Sequence, residues 1–480
     1  MAFITFGFYL FLAAVVVLYY VFPLRFRWCI LLAGSMAFYW YVGQFSLMRI
    51  GLMLGAAAVC WLAGILIKKG GKGKKLWLCL ALIITTLPLL VIKEGPFLAQ
   101  LAGSILPGWI APVGIAFYTM QLIAYVADVY SGKAEPEQNP LKFLLFVSFF
   151  PQIIQGPIPR YNQLAPQLVE GHRFEEQTFV KGFMLVLWGF FLKLCVADKA
   201  GIVVDAVFDS YPTYQGMYVL LAGVLYSFQL YADFLACTSF AQGIAALIGI
   251  ELVDNFYHPY FATSIKDFWR RWHISLSSWL RDYIYIPLGG NRKGKLRKYS
   301  NLLLTFAVSG IWHGAGYKFV FWGLLHGLYQ ILGEVLAPVK KQLARIVHAE
   351  KHPGTTKIFQ RLCTFCLVML AWIIFRAEHL STALSMIRSI FAVHNPWIFT
   401  NDALFTLGLG WKECVILLLN LFVLLEVSTK QEQGCCLREK ILRQSLPVRW
   451  CIYIGIILYI LVFGTYGYGY SAQAFIYGGF

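Results

Sequence analysis

The stretch LLLTFAVSGIWHGAGYKFVFWGLLHGLYQILG, Leu302 to Gly333, decides the class of this chain. Lys318 is its one formally charged side chain, and the run exceeds the ~20 apolar residues that cross a hydrocarbon core. Working outward, the same character recurs along the whole chain of 480 residues, which is 59% hydrophobic and 13% charged with a mean hydropathy of +0.66. Soluble domains carry about 25% charged residues. The expected fold is therefore an all-α polytopic membrane protein.

Windows of spanning length fall near 3–21, 28–47, 50–67, 76–93, 113–130, 141–156, 177–197, 216–249, 301–335, 360–376, 412–427 and 450–466, giving about 10–12 crossings. Residues 216–249 are long for one span and are expected to kink, tilt or divide. Residues 96–112 hold Pro96, Pro107 and Pro112 and read as a broken, re-entrant segment. The opening MAFITFGFYLFLAAVVVLYYVFPLRFR lacks a basic n-region, and Arg25 and Arg27 follow its apolar run. It is expected to be a first transmembrane helix, not a cleaved leader. The positive-inside bias then places Arg25 and the loop KKGGKGKK, Lys68 to Lys75, in the cytoplasm. The basic segment from Lys430 to Arg449 falls on the same side. Both termini are thus expected outside. One domain over 1–480 is expected: N-terminal helices (1–110), a motif-bearing core (111–335), and C-terminal helices with an extracytoplasmic tail (336–480).

The formal charge of +17 fits the same bias better than an anionic macromolecular partner, because the basic residues are dispersed between apolar spans. Nucleic-acid binding is excluded on that ground. Most of the eleven cysteines lie in or beside apolar segments and act as small hydrophobes. Cys363 and Cys366 form a C-x-x-C inside LCTFCLVML, without the βαβ context of a redox motif. No Cys/His/Asp set has metal-ligand spacing, so no metal is expected.

One block breaks the apolar pattern. SIKDFWRRWHISLSSWLRDYIYIPLGGNRKGKLRKYSN, Ser264 to Asn301, cannot span a bilayer in its first half. Trp269, Trp272, His273, Leu276, Trp279, Leu280 and Tyr283 recur at helical spacing, with charges mainly on the other side. Ser264 and Asp267 supply a capping start. The pattern is that of an interfacial helix, with aromatics toward lipid and arginines toward headgroups. Arg270, Arg271, Arg281, Arg292, Lys293, Lys295, Arg297 and Lys298 suit lipid headgroups or, equally as chemistry, the phosphates of a soluble thioester donor.

Ionisable residues inside apolar segments are costly and mark function or a specific partner. His313 is flanked by Gly310, Gly314 and Gly316, which let a helix or a ligand approach the backbone closely. A neutral imidazole in a dry pocket accepts a proton from a hydroxyl; a histidine hydrogen-bonded across helices fits the residues equally well. His326 lies 13 residues on, off that face of a straight helix, and reads as a helix contact with Trp322. Asp233 is a second intramembrane charge, with an Arg or a His as expected partner.

Four ordered segments carry a resemblance. DFWRRWHISLSSWLRDYIYIPLGGNRKG, SGIWHGAGYKFVFWGLLHG, PVGIAFYTMQLIAYVADVYSGK (111–133) and FFPQIIQGPIPRYNQLAPQL (149–168) resemble the membrane-bound O-acyltransferase superfamily (MBOAT), most closely its bacterial alginate O-acetylation and teichoic-acid D-alanyl transfer branch. The resemblance spans nearly the whole chain. It implies helices around a central tunnel in the bacterial cytoplasmic membrane, with re-entrant and interfacial segments. It further implies an acyl group, acetyl first, taken from a cytoplasmic thioester for O-acylation of an extracytoplasmic polysaccharide.

His313 matches the catalytic histidine of the family's W-H-G motif. His273 matches the second histidine, which lines the passage or assists. Donor binding is implied for Trp269, Arg270, Arg271, Trp272, Ser275, Trp279, Arg281, Asp282, Asn291, Arg292, Lys293 and Trp312. No tightly bound cofactor is implied; acetyl-CoA or another acyl thioester is a substrate. The partners implied are membrane lipid, acyl-CoA or an acyl-carrier protein, and an extracytoplasmic acetyltransferase. The chain departs at DFLACTSF, Asp233 to Phe240, where the family often shows D-F-S-G-Y-S-D; this bears on an acceptor contact and leaves His313 untouched. The tail FGTYGYGYSAQAFIYGGF resembles that of alginate-type members, and Tyr477 offers a hydroxyl as a transient acyl acceptor or belongs to an interfacial aromatic belt. Two other readings are D-alanyl transfer from a carrier protein to teichoic acid, and a transporter or flippase without covalent chemistry.

Overall fold

The computed structural model describes residues 2–71, 73–102 and 112–466. Helices follow one another as α1 (Phe6–Val21), α2 (Arg27–Val42), α3 (Leu47–Lys69), α4 (Lys74–Leu101), α5 (Ile115–Tyr130), α6 (Pro140–Ser148), α7 (Tyr161–Glu170), α8 (Glu176–Phe190), α9 (Asp198–Asp209) and α10 (Met217–Ala246). Then come α11 (Ile265–Arg271), α12 (Ile274–Leu280), α13 (Gly294–His313), α14 (Tyr317–Val335), α15 (Ala337–Ile346), α16 (Pro353–Arg376), α17 (Leu380–Ala392), α18 (Trp411–Glu432), α19 (Leu437–Leu442) and α20 (Leu446–Phe463). Among the described residues there is no strand, and Phe256–Trp272 form one isolated antiparallel bridge. The all-α polytopic class expected from the sequence is the class found.

The number of spanning helices is smaller than expected. Six described helices are long and apolar enough to cross a bilayer, counting Glu176–Asp209 as one, and the α14–α15 pair, bent by 56°, makes a seventh. Two of the expected windows differ from the helices found. The 141–156 window holds only α6, whose chain turns before Pro151. The 301–335 window divides at Gly314–Gly316 into α13 and α14, with Gly316 at φ +91°. Residues 216–249, expected to kink, tilt or divide, hold the single, undivided helix α10. In the expected broken segment, α4 runs through Pro88 and Pro96 to Leu101; residues 103–111 lie outside the described residues, as do 467–480 with Tyr477.

The chain forms two compact units. The first comprises Met1–Gly189 and Cys237–Asp254. Its core is aromatic: Phe3, Phe8, Phe38 and Phe150 are buried and meet ring to ring. Arg25 is exposed, but Arg27 is buried. Arg27 Nε donates to the Phe22 carbonyl at 3.0 Å, a second nitrogen donates to Tyr20 at 3.0 Å, and a third donates to the His172 carbonyl. Its charge is spent on backbone carbonyls of this unit, because a buried guanidinium must satisfy its donors.

The second unit, Phe190–Ala236 and Asn255–Ile476, carries the site. Its centre is the α13–α14 hairpin. A Cβ on Gly310 would stand 2.2 Å from the Phe319 carbonyl oxygen, and one on Gly323 would stand 2.1 Å from that of Phe306. These glycines bring two backbones into contact. A Cβ on Gly314 would likewise meet the Phe319 ring at 2.2 Å. The space beside His313 is filled by protein at these positions.

Candidate active site

The block from Ser264 folds as two short helices instead of one interfacial helix. Ser264 Oγ accepts from Asp267 N at 3.2 Å, and Asp267 Oδ2 accepts from Thr263 N at 3.2 Å, so the expected capping pair starts α11. α11 stops after Arg271. His273 takes a left-handed conformation, φ +46°, which costs a non-glycine residue about 1–3 kcal/mol. Asn255 offsets this from the other side of the break. Its carbonyl accepts from Ile274 N at 2.9 Å, and its Oδ1 accepts from Ser275 Oγ at 2.6 Å. Trp269, Trp272, His273, Leu276, Trp279 and Leu280 are buried, so the aromatic face expected to meet lipid meets protein. Trp272 packs on Tyr231 of α10 at 6.2 Å and Trp372 of α16 at 5.0 Å.

His313 ends α13 and is 2% exposed. Rings surround it edge-on: Trp312 at 4.9 Å, Trp322 at 5.0 Å and Phe375 at 5.5 Å. His273 reaches the same cluster, 6.0 Å from Trp312 and 4.7 Å from Phe234. Both its ring nitrogens are buried and have no hydrogen-bond partner among the described residues, a state that is costly in a dry interior. The break at Gly314–Gly316 puts His326 on the partner helix, 4.9 Å from Trp322. The expected contact with Trp322 is thus present, and the straight-helix argument that separated His326 from His313 does not apply.

Beside this cluster lies a cavity of about 1860 Å³, confined to the second unit. Its wall includes Lys266, Trp269, Arg270, Arg281, Asn291 and Lys298 from the motif block, with Leu343, Phe359 and Thr364 from α15 and α16. The cations divide. Arg281 pairs with Asp282 at 2.8 Å, and Lys298 pairs with Glu334. Lys266, Arg270 and Lys340 are exposed, line the cavity and form no ion pair among the described residues. They are free to meet an anionic ligand.

The other residues singled out in the sequence make the following contacts. Arg271 is held by Glu432 at 2.8 Å and Asp267 at 3.1 Å. Beside it, burial and Arg271 hold His258 below the ordinary imidazole range, with Glu432 opposing them. Trp279 packs on Tyr283 at 5.3 Å. Arg292 and Lys293 are exposed near the Gly289–Gly290 turn and do not line the cavity. Trp312 lies 6.0 Å from His273 and 4.9 Å from His313.

Asp233 pairs with a lysine, a partner type the sequence reading did not name. Lys193 lies 2.7 Å from it and 2.8 Å from Asp198, and all three side chains are at most 2% exposed. Lys193 sits in a π-helical stretch, Phe191–Ala197, between α8 and α9. Sequence reasoning missed this triad, the α15–α16 cavity wall and the hydrogen bond that Trp269 Nε1 donates to His326 Nδ1 at 3.2 Å. A Lys and an Asp five residues apart in an apolar run were the available signal for the triad.

Residues 137–375 match the model described as MBOAT, membrane-bound O-acyltransferase family. The chain is similar to a probable alginate O-acetylase of Pseudomonas fluorescens, 35% identical over 393 residues, which are 80% of this chain and 74% of that one. It is similar to a peptidoglycan O-acetyltransferase of Helicobacter pylori, 35% identical over 349 residues, 66% of this chain and 65% of the other. A teichoic acid D-alanyltransferase of Bacillus subtilis is 31% identical over 263 residues, 52% of this chain and 66% of its own.

Proposed function

The chain belongs to the membrane-bound O-acyltransferase family, and on that premise we propose that it takes an acetyl group from a cytoplasmic thioester and passes it across the membrane for O-acylation of an extracytoplasmic polysaccharide. The observation that carries the reading is a buried histidine, His313, beside a large cavity with three uncommitted cations. Acetyl-CoA is the proposed donor. Lys266, Arg270 and Lys340 take its phosphates, since both ammonium and guanidinium donate charge-assisted bonds to phosphate oxygens. A ring nitrogen of His313 accepts the proton of an acceptor hydroxyl as its oxygen attacks the thioester carbonyl carbon. The C–S bond breaks, and the thiolate leaves and takes the proton as CoA thiol. Thioester plus alcohol thus become ester plus thiol. Such a base supplies about 10²–10⁴-fold, and orientation between packed rings adds to it.

The reading places the protein in the cytoplasmic membrane with both termini outside and a separate extracytoplasmic acetyltransferase completing polymer modification. Tyr477 is a candidate first acceptor in that sequence of transfers. The test is transfer of radiolabelled acetyl from acetyl-CoA by the reconstituted protein. His313→Ala should abolish it while the protein stays folded; unchanged transfer defeats the reading. Transfer only from a D-alanyl carrier protein would move the donor to the teichoic-acid type.

A further inference from the structure

His313 is not among the residues that line the cavity. Rings link the two. Trp269 forms part of the cavity lining, and its ring lies 5.0 Å from that of His326, at 88°, and 5.9 Å from that of Trp322. Trp322 in turn lies 4.9 Å from His326 and 5.0 Å from His313. Phe306 and Tyr329 also line the cavity and lie 6.3 Å and 6.0 Å from His326. His326 is 0% exposed and Trp322 is 0% exposed. One directed bond ties the cavity wall to this stack: Trp269 Nε1 donates to His326 Nδ1 at 3.2 Å. Because Nδ1 accepts, the proton of neutral His326 resides on Nε2. The indole N–H is thus aimed at Nδ1, an orientation set by the tautomer of His326.

Trp269 is also carried on a short support. α11 is a seven-residue helix, and the chain breaks two residues beyond its end at left-handed His273. Rotation of one side chain on such an element opens the layer without unpacking a long helix.

We propose that Trp269 is the gate between the cavity and His313, and that His326 is a positioning residue that holds the gate shut through the bond to Nε1. This rests on the reading of His313 and the cavity given above. It explains why a donor-sized cavity and the proposed base occupy one unit without sharing a wall. Closure keeps water from the reacting centre until a ligand displaces the indole.

The test reads access to His313 directly, by its rate of carbethoxylation with diethyl pyrocarbonate, resolved by peptide mass spectrometry on the full-length purified protein. His352, exposed on the cavity lining, is the internal reference. In the unaltered protein His313 should react far more slowly than His352. Trp269→Phe keeps a ring but removes the donor, and should speed His313 labelling about two- to tenfold, the range one net hydrogen bond commands. His326→Leu should do the same, whereas His326→Gln, whose amide oxygen can accept from Nε1, should label near the original rate. His352 labelling should not change. Equal His313 rates in Trp269→Phe and the unaltered protein overturn the proposal, as does a His313 rate matching that of His352 at the outset. If His326→Leu does not fold, Trp269→Phe decides alone. Failure of the gate would leave loss of transfer in His313→Ala intact. Failure of the transfer reading would leave the labelling differences intact.

Discussion

The cavity and the histidine cluster belong to one compact unit, yet their polar atoms are treated in opposite ways. In the cavity, Lys266, Arg270 and Lys340 stand exposed and unpaired among the described residues. In the cluster, His273, His313 and His326 are at most 2% exposed and ringed by tryptophan and phenylalanine. Charge left in contact with solvent costs little and is available for recognition. Polar atoms enclosed in a dry layer are expensive and acquire strength from that enclosure. On the function proposed above, the difference means that binding and chemistry are built from separate surfaces, joined at Trp269.

Five variants break or sharpen that contrast. The largest effect is expected on the enclosed side: His313→Ala should lower acetyl transfer about 10²–10⁴-fold, measured as label passed to acceptor. Next comes a charge that is enclosed but not catalytic. Lys193→Met leaves Asp198 and Asp233 buried without their cation and should cost about 3–5 kcal/mol, seen as a lowered thermal midpoint in detergent. Lys266→Met, on the open side, should move stability by less than about 0.5 kcal/mol in the same scan. A smaller effect is expected for donor recognition. Arg270→Ala should raise KM for acetyl-CoA about tenfold, as loss of a charge-assisted bond does, with kcat preserved.

The smallest concerns His258, beside Arg271 and Glu432 and outside the spanning helices. Its folded pKa lies below the ordinary imidazole value of 6.5, chiefly through burial. The unfolded chain then binds the proton more readily, so stability is fully present above 6.5 and falls as pH drops below it. Thermal midpoints at about pH 7 and about pH 5 should differ less in His258→Gln than in the unaltered chain.

Much of this was legible in the sequence. Hydropathy alone gave the helical membrane class, and the ordered motifs marked His313, His273 and the cationic block. What escaped has physical causes. A hydropathy window cannot see that Gly314–Gly316 turns the chain, so His326 was assigned a position on the wrong helix. Helical periodicity cannot tell a face buried in lipid from one buried in protein, so Trp272 and Trp279 looked interfacial. Partner choice for Asp233 depends on a π-helical stretch around Lys193 that no local pattern announces. Arg271 shows the converse: its residue type suited a phosphate, but Asp267 and Glu432 had claimed it. Gly310 and Gly314, which looked like space for an acyl chain, serve close helix and ring packing.

The most direct test of separate binding and chemistry is equilibrium binding of acetyl-CoA to two variants in one preparation. His313→Ala should bind as the unaltered protein does, and Arg270→Ala should bind about tenfold more weakly. Weakened binding in His313→Ala together with unchanged binding in Arg270→Ala would contradict the account.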